Sequence, residues 1–305
     1  MGDPSANNAA CIGLEVSANR LTAVCVGENG LIKESASADV DYSRSIVDQI
    51  VEFLNGLTGE FANSQKLGIA VPALVDSDGR TILYSTHIAE FSKLDLASAI
   101  EAATALKVTV ENDANCGAVA EYAVGAGRGA KSMFYATLGT GVGGAFVLNG
   151  EIWRGNTGFA GEIGYVPVGE EDAQRLEDVA STSNIIRRTR SRVKQDSTSS
   201  LSDLDPNVIT IADIVEAAKA GDDFSLLMLE RTGIYIGTAI ASVLNLMNVS
   251  TVVLGGAIMD GGELILDPVI DTVKKNTFAP AFESATIVKG TLGRQAAAIG
   301  AALIA

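Results

Sequence analysis

Cysteine and histidine are scarce in this sequence. The three cysteines, Cys11, Cys25 and Cys116, are far apart and lie among apolar residues. A disulfide framework or a structural zinc site needs cysteines, or cysteines with histidines, at short regular spacings, and the sequence has neither pattern. We therefore expect buried free thiols, because unpaired cysteine is among the most frequently buried residue types.

Long apolar runs and an excess of basic residues are also missing. No apolar run reaches the roughly 18 residues that a membrane-spanning helix needs. Met1–Ala10 has neither the basic start nor the apolar segment of a signal peptide. The formal net charge of -15 disfavours binding to nucleic acid or to an anionic membrane. We expect a cytoplasmic protein whose substrate is neutral or is a nucleotide delivered with a divalent cation.

Three polar, glycine-rich motifs stand out between positions 111 and 165 of the 305 residues. The first is Glu-Asn-Asp-Ala-Asn at 111–115, the second is Leu-Gly-Thr-Gly-Val-Gly-Gly at 138–144, and the third is Gly-Phe-Ala-Gly-Glu-Ile-Gly-Tyr at 158–165. The whole chain is 47% hydrophobic, enough for one large or two moderate domains with a substantial core.

The second motif links two predicted strands, Met133–Leu138 and Ala145–Leu148, and Asn149-Gly150 is a turn signal after them. Glycines allow backbone N–H groups to approach an anion closely, and Thr140 adds a hydroxyl donor. A phosphate-binding hairpin is one interpretation. A tight glycine-rich hairpin without a ligand is the other, since isolated glycine patterns often have no function.

The first motif places a carboxylate where a strand ends. Asp113 follows the predicted strand Val108–Val110 and precedes the predicted helix Ala114–Val124. Ligands of α/β folds bind at the carboxyl ends of strands, so Asp113 is a candidate functional residue. The alternative is that Asp113 caps the helix, and one residue can serve both purposes.

Together the motifs resemble the ROK family of sugar kinases, within the actin-like ATPase superfamily. The family pattern is Asn-Asp-Ala, then Leu-Gly-Thr-Gly-x-Gly-Gly, then Gly-Glu-x-Gly-His. This chain matches the first two motifs, and in the third it differs only at the last position, where Tyr165 stands in place of histidine. The resemblance covers roughly residues 11–305. It implies an α/β fold of two actin-like (ribonuclease H-like) domains with a cleft between them. Residues 1–111 would form the smaller domain and 112–291 the larger one, with a terminal helix at 292–305 packing back on the first.

The resemblance also implies a function. The expected reaction is phosphorylation of a hexose or N-acetylhexosamine hydroxyl by ATP and Mg²⁺, in a homodimer, with Asp113 as general base. The glycine pair after the predicted strand Thr251–Leu254 resembles an adenosine motif. Sugar-binding residues would be Asn112, Glu162, Tyr165, Glu177 and His87, and nucleotide-binding residues would be Glu15, Gly139, Thr140, Gly141, Gly143, Gly255 and Gly256. For His87 and Glu177, an ordinary loop residue and an ordinary surface-helix residue are the alternatives.

Two segments depart from the family pattern. Where the family has Asp-x-Gly-Gly-Thr, this chain has Glu15, then Ser17, Ala18 and Asn19, and the added Cβ atoms restrict the backbone beside the γ-phosphate. Residues 166–176 contain no cysteine or histidine where most of the family has a zinc-binding knot, so we expect no zinc. The alternative function is therefore a non-catalytic, kinase-like sugar- or nucleotide-binding protein with a regulatory role.

A basic cluster lies outside these motifs. Residues 187–194 include five basic residues. Phosphate binding is one interpretation of the cluster, and a solvated helix end followed by a mobile loop is the favoured one.

Overall fold

The computed structural model describes residues 10–17, 19–27, 30–85, 88–169, 174–195 and 198–305. Their contacts divide the chain into two compact units: Met1–Arg128 with Ile152–Ala160 and Arg294–Ala305, and Gly129–Glu151 with Gly161–Gly293. The boundary predicted between 111 and 112 falls within the first of these units.

Thirteen strands are assigned within the described residues. They are β1 Cys11–Val16, β2 Arg20–Val26, β3 Ile32–Asp39, β4 Lys66–Val71, β5 Leu74–Val75, β6 Thr81–Tyr84, β7 Leu94–Asp95, β8 Lys107–Asn112, β9 Ser132–Leu138, β10 Val142–Leu148, β11 Glu151–Trp153, β12 Thr251–Gly255 and β13 Thr286–Lys289.

The α-helices of the described residues alternate with these strands. They are α1 Ile46–Asn55, α2 Leu96–Ala103, α3 Asp113–Val124, α4 Leu176–Ala180, α5 Thr182–Arg192, α6 Ile211–Lys219, α7 Asp223–Met247, α8 Glu263–Asn276, α9 Ala279–Glu283 and α10 Ala296–Ile304.

The first unit is built on a five-stranded sheet with the strand order β3-β2-β1-β4-β8. Strands β1, β2 and β3 are antiparallel neighbours, whereas β4 runs parallel to both β1 and β8. Because β4 and β8 are parallel, their carboxyl ends lie at the same edge of the sheet, and β8 leads directly into α3 there.

Glycines allow α10 to pack directly on this sheet. A Cβ atom at Gly13 or Gly68 would lie 1.8 Å from a backbone carbonyl oxygen of α10, and one at Gly300 would lie 1.7 Å from the carbonyl oxygen of Cys116 in α3. No other residue type fits such a contact without a backbone shift. The terminal helix thereby fixes α3, the helix that begins at Asp113.

The second unit has its own five-stranded sheet, with the order β11-β10-β9-β12-β13. Strands β9 and β10 form an antiparallel hairpin, and β12 runs parallel to β9 and β13. Helices α6, α7 and α8 contribute buried residues to one hydrophobic core with β9, β10 and β12.

Helix α7 is 25 residues long and is apolar enough to cross a membrane by length and composition alone. Half of its most apolar stretch is buried inside the protein. Leu229, Ile236 and Ile240 are among its core residues, and it packs along α8. Helix α7 is therefore apolar because it packs in the hydrophobic core of the second unit.

Two of the sequence-based expectations need correction. Cys25 and Cys116 are buried as predicted, but Cys11 is only partly buried. The basic cluster forms the end of α5, and Arg188 is only 8% exposed, so a fully solvated helix face is wrong for that residue. The cause is α7, against which Arg188 packs: its guanidinium donates to Thr232 of that helix.

Candidate functional site

The junction of β8 and α3 is held by hydrogen bonds of Asn112. Its side-chain oxygen accepts from the backbone N–H groups of Ala114 at 2.9 Å and Asn115 at 3.1 Å, which makes Asn112 the helix N-cap. Its side-chain nitrogen donates to the carbonyl oxygen of Ala73 at 3.2 Å. The sequence-based alternative that Asp113 caps the helix is therefore wrong, and Asp113 is the first helical residue.

Asp113 and Glu15 form a carboxylate pair at this edge of the sheet. Asp113 is partly exposed, and one of its oxygens accepts from the N–H of Ala114 at 2.8 Å. Glu15, near the end of β1, also has some solvent exposure, although protein closely surrounds its carboxylate. Desolvation, with a contribution from the charge of Asp113, raises the pKa of Glu15 to about 7. The two carboxylates are thus coupled electrostatically.

An ion pair between a buried carboxylate and a partly exposed arginine supports this junction. Glu111, the last but one residue of β8, pairs with Arg154 and also accepts from the N–H of Asn112 at 2.7 Å and the side chain of Asn115 at 3.0 Å. The hydrogen bond with Glu111 raises the pKa of Arg154. Sequence reasoning missed this pair. A charged residue at the end of an apolar strand was the one available signal, and it did not indicate a partner 43 positions away.

In the second unit, the predicted phosphate-binding motif is the loop of the β9–β10 hairpin. Gly139 donates its N–H to the carbonyl oxygen of Gly141 at 3.0 Å, and Thr140 is exposed at the tip. The carbonyl oxygen of Gly139 accepts from the N–H of Thr182 at 2.8 Å, which ties the loop to the start of α5. The loop is therefore a fixed backbone turn with an exposed hydroxyl at its tip.

The glycine pair at the end of β12, Gly255 and Gly256, packs against the base of this hairpin. Gly256 has φ +91°, and a Cβ there would lie 2.4 Å from the carbonyl oxygen of Leu138. A Cβ at Gly255 would lie 2.5 Å from the hydroxyl of Tyr135. The structure thus brings the predicted adenosine and phosphate motifs together along neighbouring strands.

The third motif packs on the same hairpin. A Cβ at Gly161, whose φ is +104°, would lie 2.2 Å from the carbonyl oxygen of Gly144, and one at Gly164 would lie 2.3 Å from that of Val142. Gly143 lies within β10 itself. These contacts explain several motif glycines by close packing, independently of any ligand.

The polar residues around this hairpin have specific partners. One carboxylate oxygen of Glu177 accepts from the N–H of Val142 at 2.9 Å. Glu162 lies at the surface, yet surrounding protein raises its pKa, and the charge of Glu177 adds to the effect. The ring of Tyr165, 56% exposed, lies 4.9 Å from the guanidinium carbon of Arg175. Three predicted sugar-binding residues therefore share one region of the second unit.

The remaining predicted site residue, His87, lies outside the described residues. In the part of the chain that the structure describes, no group of three or more His, Cys, Asp or Glu side chains could hold a metal ion. The first unit therefore offers carboxylates that can accept a proton, and the second unit offers carboxylates that can bind hydroxyl groups and a glycine hairpin that can face an anion.

Comparisons with known proteins agree on one family. The ROK family profile matches residues 11–305. A glucokinase of Halalkalibacterium halodurans is 34% identical over 266 residues, which are 84% of this chain and 80% of that protein. A xylose repressor of Bacillus spizizenii is 24% identical over 305 residues, which are 95% of this chain and 75% of the repressor.

The solved structures agree as well. The ROK family glucokinase from Streptomyces griseus, in complex with glucose and AMPPNP, has a TM-score of 0.86 and 28% identity, with 97% of this chain and 99% of that chain covered. The predicted fold class is confirmed: the two α/β units have the actin-like fold of the ROK sugar kinases. By the match across almost its whole length, this chain belongs to the ROK family.

Proposed function

We propose that this protein transfers the γ-phosphoryl group of ATP to a hydroxyl of a hexose or N-acetylhexosamine. The observation that carries the proposal is the position of Asp113, a partly exposed carboxylate at the first residue of α3. The glucokinase with 34% identity and the glucokinase bound to glucose and AMPPNP support the reaction class.

Asp113 would act as the general base. The sugar hydroxyl oxygen forms a bond to the γ-phosphorus while the bond from that phosphorus to the bridging oxygen of ADP breaks, and the hydroxyl proton passes to Asp113. The base must be ionised to accept this proton. The N–H of Ala114 donates to this carboxylate, and the positive end of the α3 dipole lies at Asp113.

The ATP phosphates would bind at the Gly139–Gly141 loop, with the hydroxyl of Thr140 as an additional donor. The nucleoside would lie against Gly255 and Gly256, which pack beside the same hairpin. Magnesium, when bound, spreads the negative charge of the transferring phosphoryl group. Glu15 and Asp113 fit a role near such an ion, because a cation would offset the desolvation and the smaller repulsion from Asp113 that together raise the pKa of Glu15.

The sugar hydroxyls would bind to Asn112, Glu162, Glu177 and Tyr165. Asn112 uses one amide N–H for Ala73, which leaves the second for a ligand. Glu177 uses one carboxylate oxygen for Val142, which leaves the other as an acceptor. Tyr165 offers a hydroxyl group at the position where the family pattern has histidine.

A coupled ADP-release assay tests this function. Magnesium-ATP is supplied with a panel of hexoses, ketohexoses and N-acetylhexosamines, and a sugar-free sample measures background hydrolysis. A rate that depends on one sugar supports the kinase and identifies its substrate class. The same background rate with every sugar would contradict it.

A second candidate function is a non-catalytic sugar- or nucleotide-binding regulator. The similarity of the chain to a xylose repressor over 95% of its length favours this reading, as does Glu15 in place of the family aspartate. Ligands that raise the melting temperature without any sugar-dependent ADP release would support the regulator over the kinase.

A further inference from the structure

A polar cavity lies in the second unit. It has a volume of about 910 Å³ and is bordered by α5, α7 and part of the segment between β11 and α4. None of the residues proposed above to bind sugar, phosphate or adenosine lines it. The cavity is therefore not explained by the proposed reaction.

Four arginines line this cavity: Arg187, Arg188 and Arg192 from α5, and Arg231 from α7. Arg188 and Arg192 are four positions apart, so they point to the same side of α5. A concentration of positive charge is unexpected in a chain whose formal net charge is -15. Among the described lining residues, Asp178 is the single carboxylate.

Asp178 has its ion-pair partner outside this group of four, although the charge of Arg187 also acts on its carboxylate. Its carboxylate forms an ion pair with Arg175 at 3.0 Å, and that hydrogen bond holds the pKa of Asp178 below its usual value. Arg187 donates to the neutral amide oxygen of Asn184 at 3.0 and 3.1 Å. Within the described residues, no ion pair includes any of the four cavity arginines.

Arg188 is the most constrained of the four. It is 8% exposed and donates one hydrogen bond to the hydroxyl oxygen of Thr232 at 2.7 Å, and its guanidinium carbon lies 5.6 Å from the ring centre of Tyr235. Its Nε atom is buried and has no hydrogen-bond partner. Desolvation, together with the charges of the other three arginines, lowers the pKa of Arg188 to about 10.

A buried cation with like charges around it and no ion-pair partner among the described residues is energetically costly. An anion in the cavity would supply the missing opposite charge. Guanidinium groups bind phosphate oxygens with paired N–H donors. Several guanidinium groups together match the charge of a phosphate ligand better than that of a ligand with a single carboxylate. The charge and the size of the cavity both favour a phosphorylated small molecule.

We propose that this cavity binds a small anion that carries phosphate groups, at a site separate from the transferred phosphate. A sugar phosphate and a nucleoside phosphate or pyrophosphate share the required chemistry. The arginines supply charge and N–H donors, and the hydroxyl groups of Ser191 and Thr238 also line the space.

The test compares the anion affinity of two double variants that each lose two positive charges, one pair inside the cavity and one pair outside it. Arg192 and Arg231 are exposed, so Arg192→Gln/Arg231→Gln should fold normally. Lys194→Gln/Lys274→Gln removes the same two charges from exposed positions that do not line the cavity. Sodium pyrophosphate is titrated calorimetrically into each protein in magnesium-free buffer of low ionic strength, where charge interactions are least screened.

The cavity variant should bind pyrophosphate at least about tenfold more weakly than the wild type, and the lysine variant should bind within about twofold of it. Pyrophosphate should also raise the melting temperature of the wild type more than that of the cavity variant. Parallel titrations with glucose 6-phosphate and ADP identify the preferred phosphate compound. If pyrophosphate binds only at the nucleotide loop, all three proteins will have equal affinity, and that result overturns the proposal. An absence of pyrophosphate binding to the wild type also overturns it.

Discussion

Arg154 is paired with the buried carboxylate of Glu111, immediately before the Asn112–Asp113 junction. The Glu111 carboxylate is 8% exposed and the Arg154 side chain is 40% exposed. Glu111 also accepts from the backbone of Asn112 and the side chain of Asn115, so one carboxylate connects the strand end, the first turn of α3 and the segment that carries Arg154. We infer that the pair positions Asp113 without contacting the substrate.

Arg154→Ala should destabilise the first unit and lower activity. Removal of the arginine leaves a buried carboxylate without its counter-ion, and because Arg154 is partly exposed, water recovers some of the lost interaction. The expected loss in the free energy of unfolding is about 2 kcal/mol. Urea denaturation measures this loss, and steady-state kinetics should show a lower kcat.

The matched control is Arg44→Ala, which breaks the ion pair with Glu52 on the surface of the same unit. Both of those side chains are more than half exposed, so the loss should stay below about 1 kcal/mol. Equal losses of stability in the two variants would show that the Glu111–Arg154 pair contributes no more to folding than a surface ion pair does. Arg154→Lys should recover stability only in part, because lysine lacks the planar donor pair of arginine.

Asp113→Asn should abolish most turnover while leaving nucleotide binding intact. The amide cannot accept the hydroxyl proton, and general-base catalysis contributes about 100- to 10,000-fold in rate. The measurements are kcat in the ADP-release assay and the affinity for AMPPNP. Asp271→Asn, at an exposed position of α8, is the control. Full turnover by Asp113→Asn would remove Asp113 from the role of base.

Local patterns in the sequence were enough to predict the elements that form the site. The β8–α3 junction and the β9–β10 hairpin were predicted to within a few residues. An apolar run, a glycine cluster and a strand-to-helix change each lie within a few neighbouring residues. Such signals are read without knowledge of the tertiary fold.

The side-chain pairings that complete the site were not predictable in the same way. Glu111 and Arg154 are 43 positions apart, and Arg188 and Thr232 are 44 apart. No periodicity connects such positions, and a charge cluster on a short segment looks solvated until the helix that buries it is known. The burial of Arg188 against α7 therefore required the tertiary structure, and so did the support that Arg154 gives to the β8–α3 junction.

Glu15→Gln should change stability in a pH-dependent way. The pKa of Glu15 rises from an ordinary value of 4.5 to about 7 on folding. Between these values the folded protein keeps a proton that the unfolded chain has lost, so this residue makes folding less favourable as the pH rises. Glutamine stays neutral. The variant should therefore match the wild type at about pH 4, below both pKa values, and be more stable by up to about 3 kcal/mol at about pH 8.

Urea denaturation of the ligand-free protein at both pH values measures this difference. Glu283→Gln, at an exposed position, controls for the loss of one negative charge. A stability gain of Glu15→Gln at the acidic pH, or none at the alkaline pH, would contradict the burial of an ionised Glu15. If Glu15 also assists the nucleotide site, the same variant should have a lower kcat at about pH 8 despite its higher stability.

Gly68→Ala should displace the terminal helix from the first sheet. The new methyl group would lie 1.8 Å from the carbonyl oxygen of Ala301, a contact that only backbone movement can relieve. We expect a loss of about 3 kcal/mol in the free energy of unfolding, because overpacking at a close backbone contact destabilises the folded state by about this amount. Gly56→Ala is the matched control, because its Cβ would meet its nearest neighbours at 3.4 Å. Since α10 also packs against α3, Gly68→Ala should lower kcat as well. Unchanged stability and unchanged kcat would show that α10 does not fix the helix that carries Asp113.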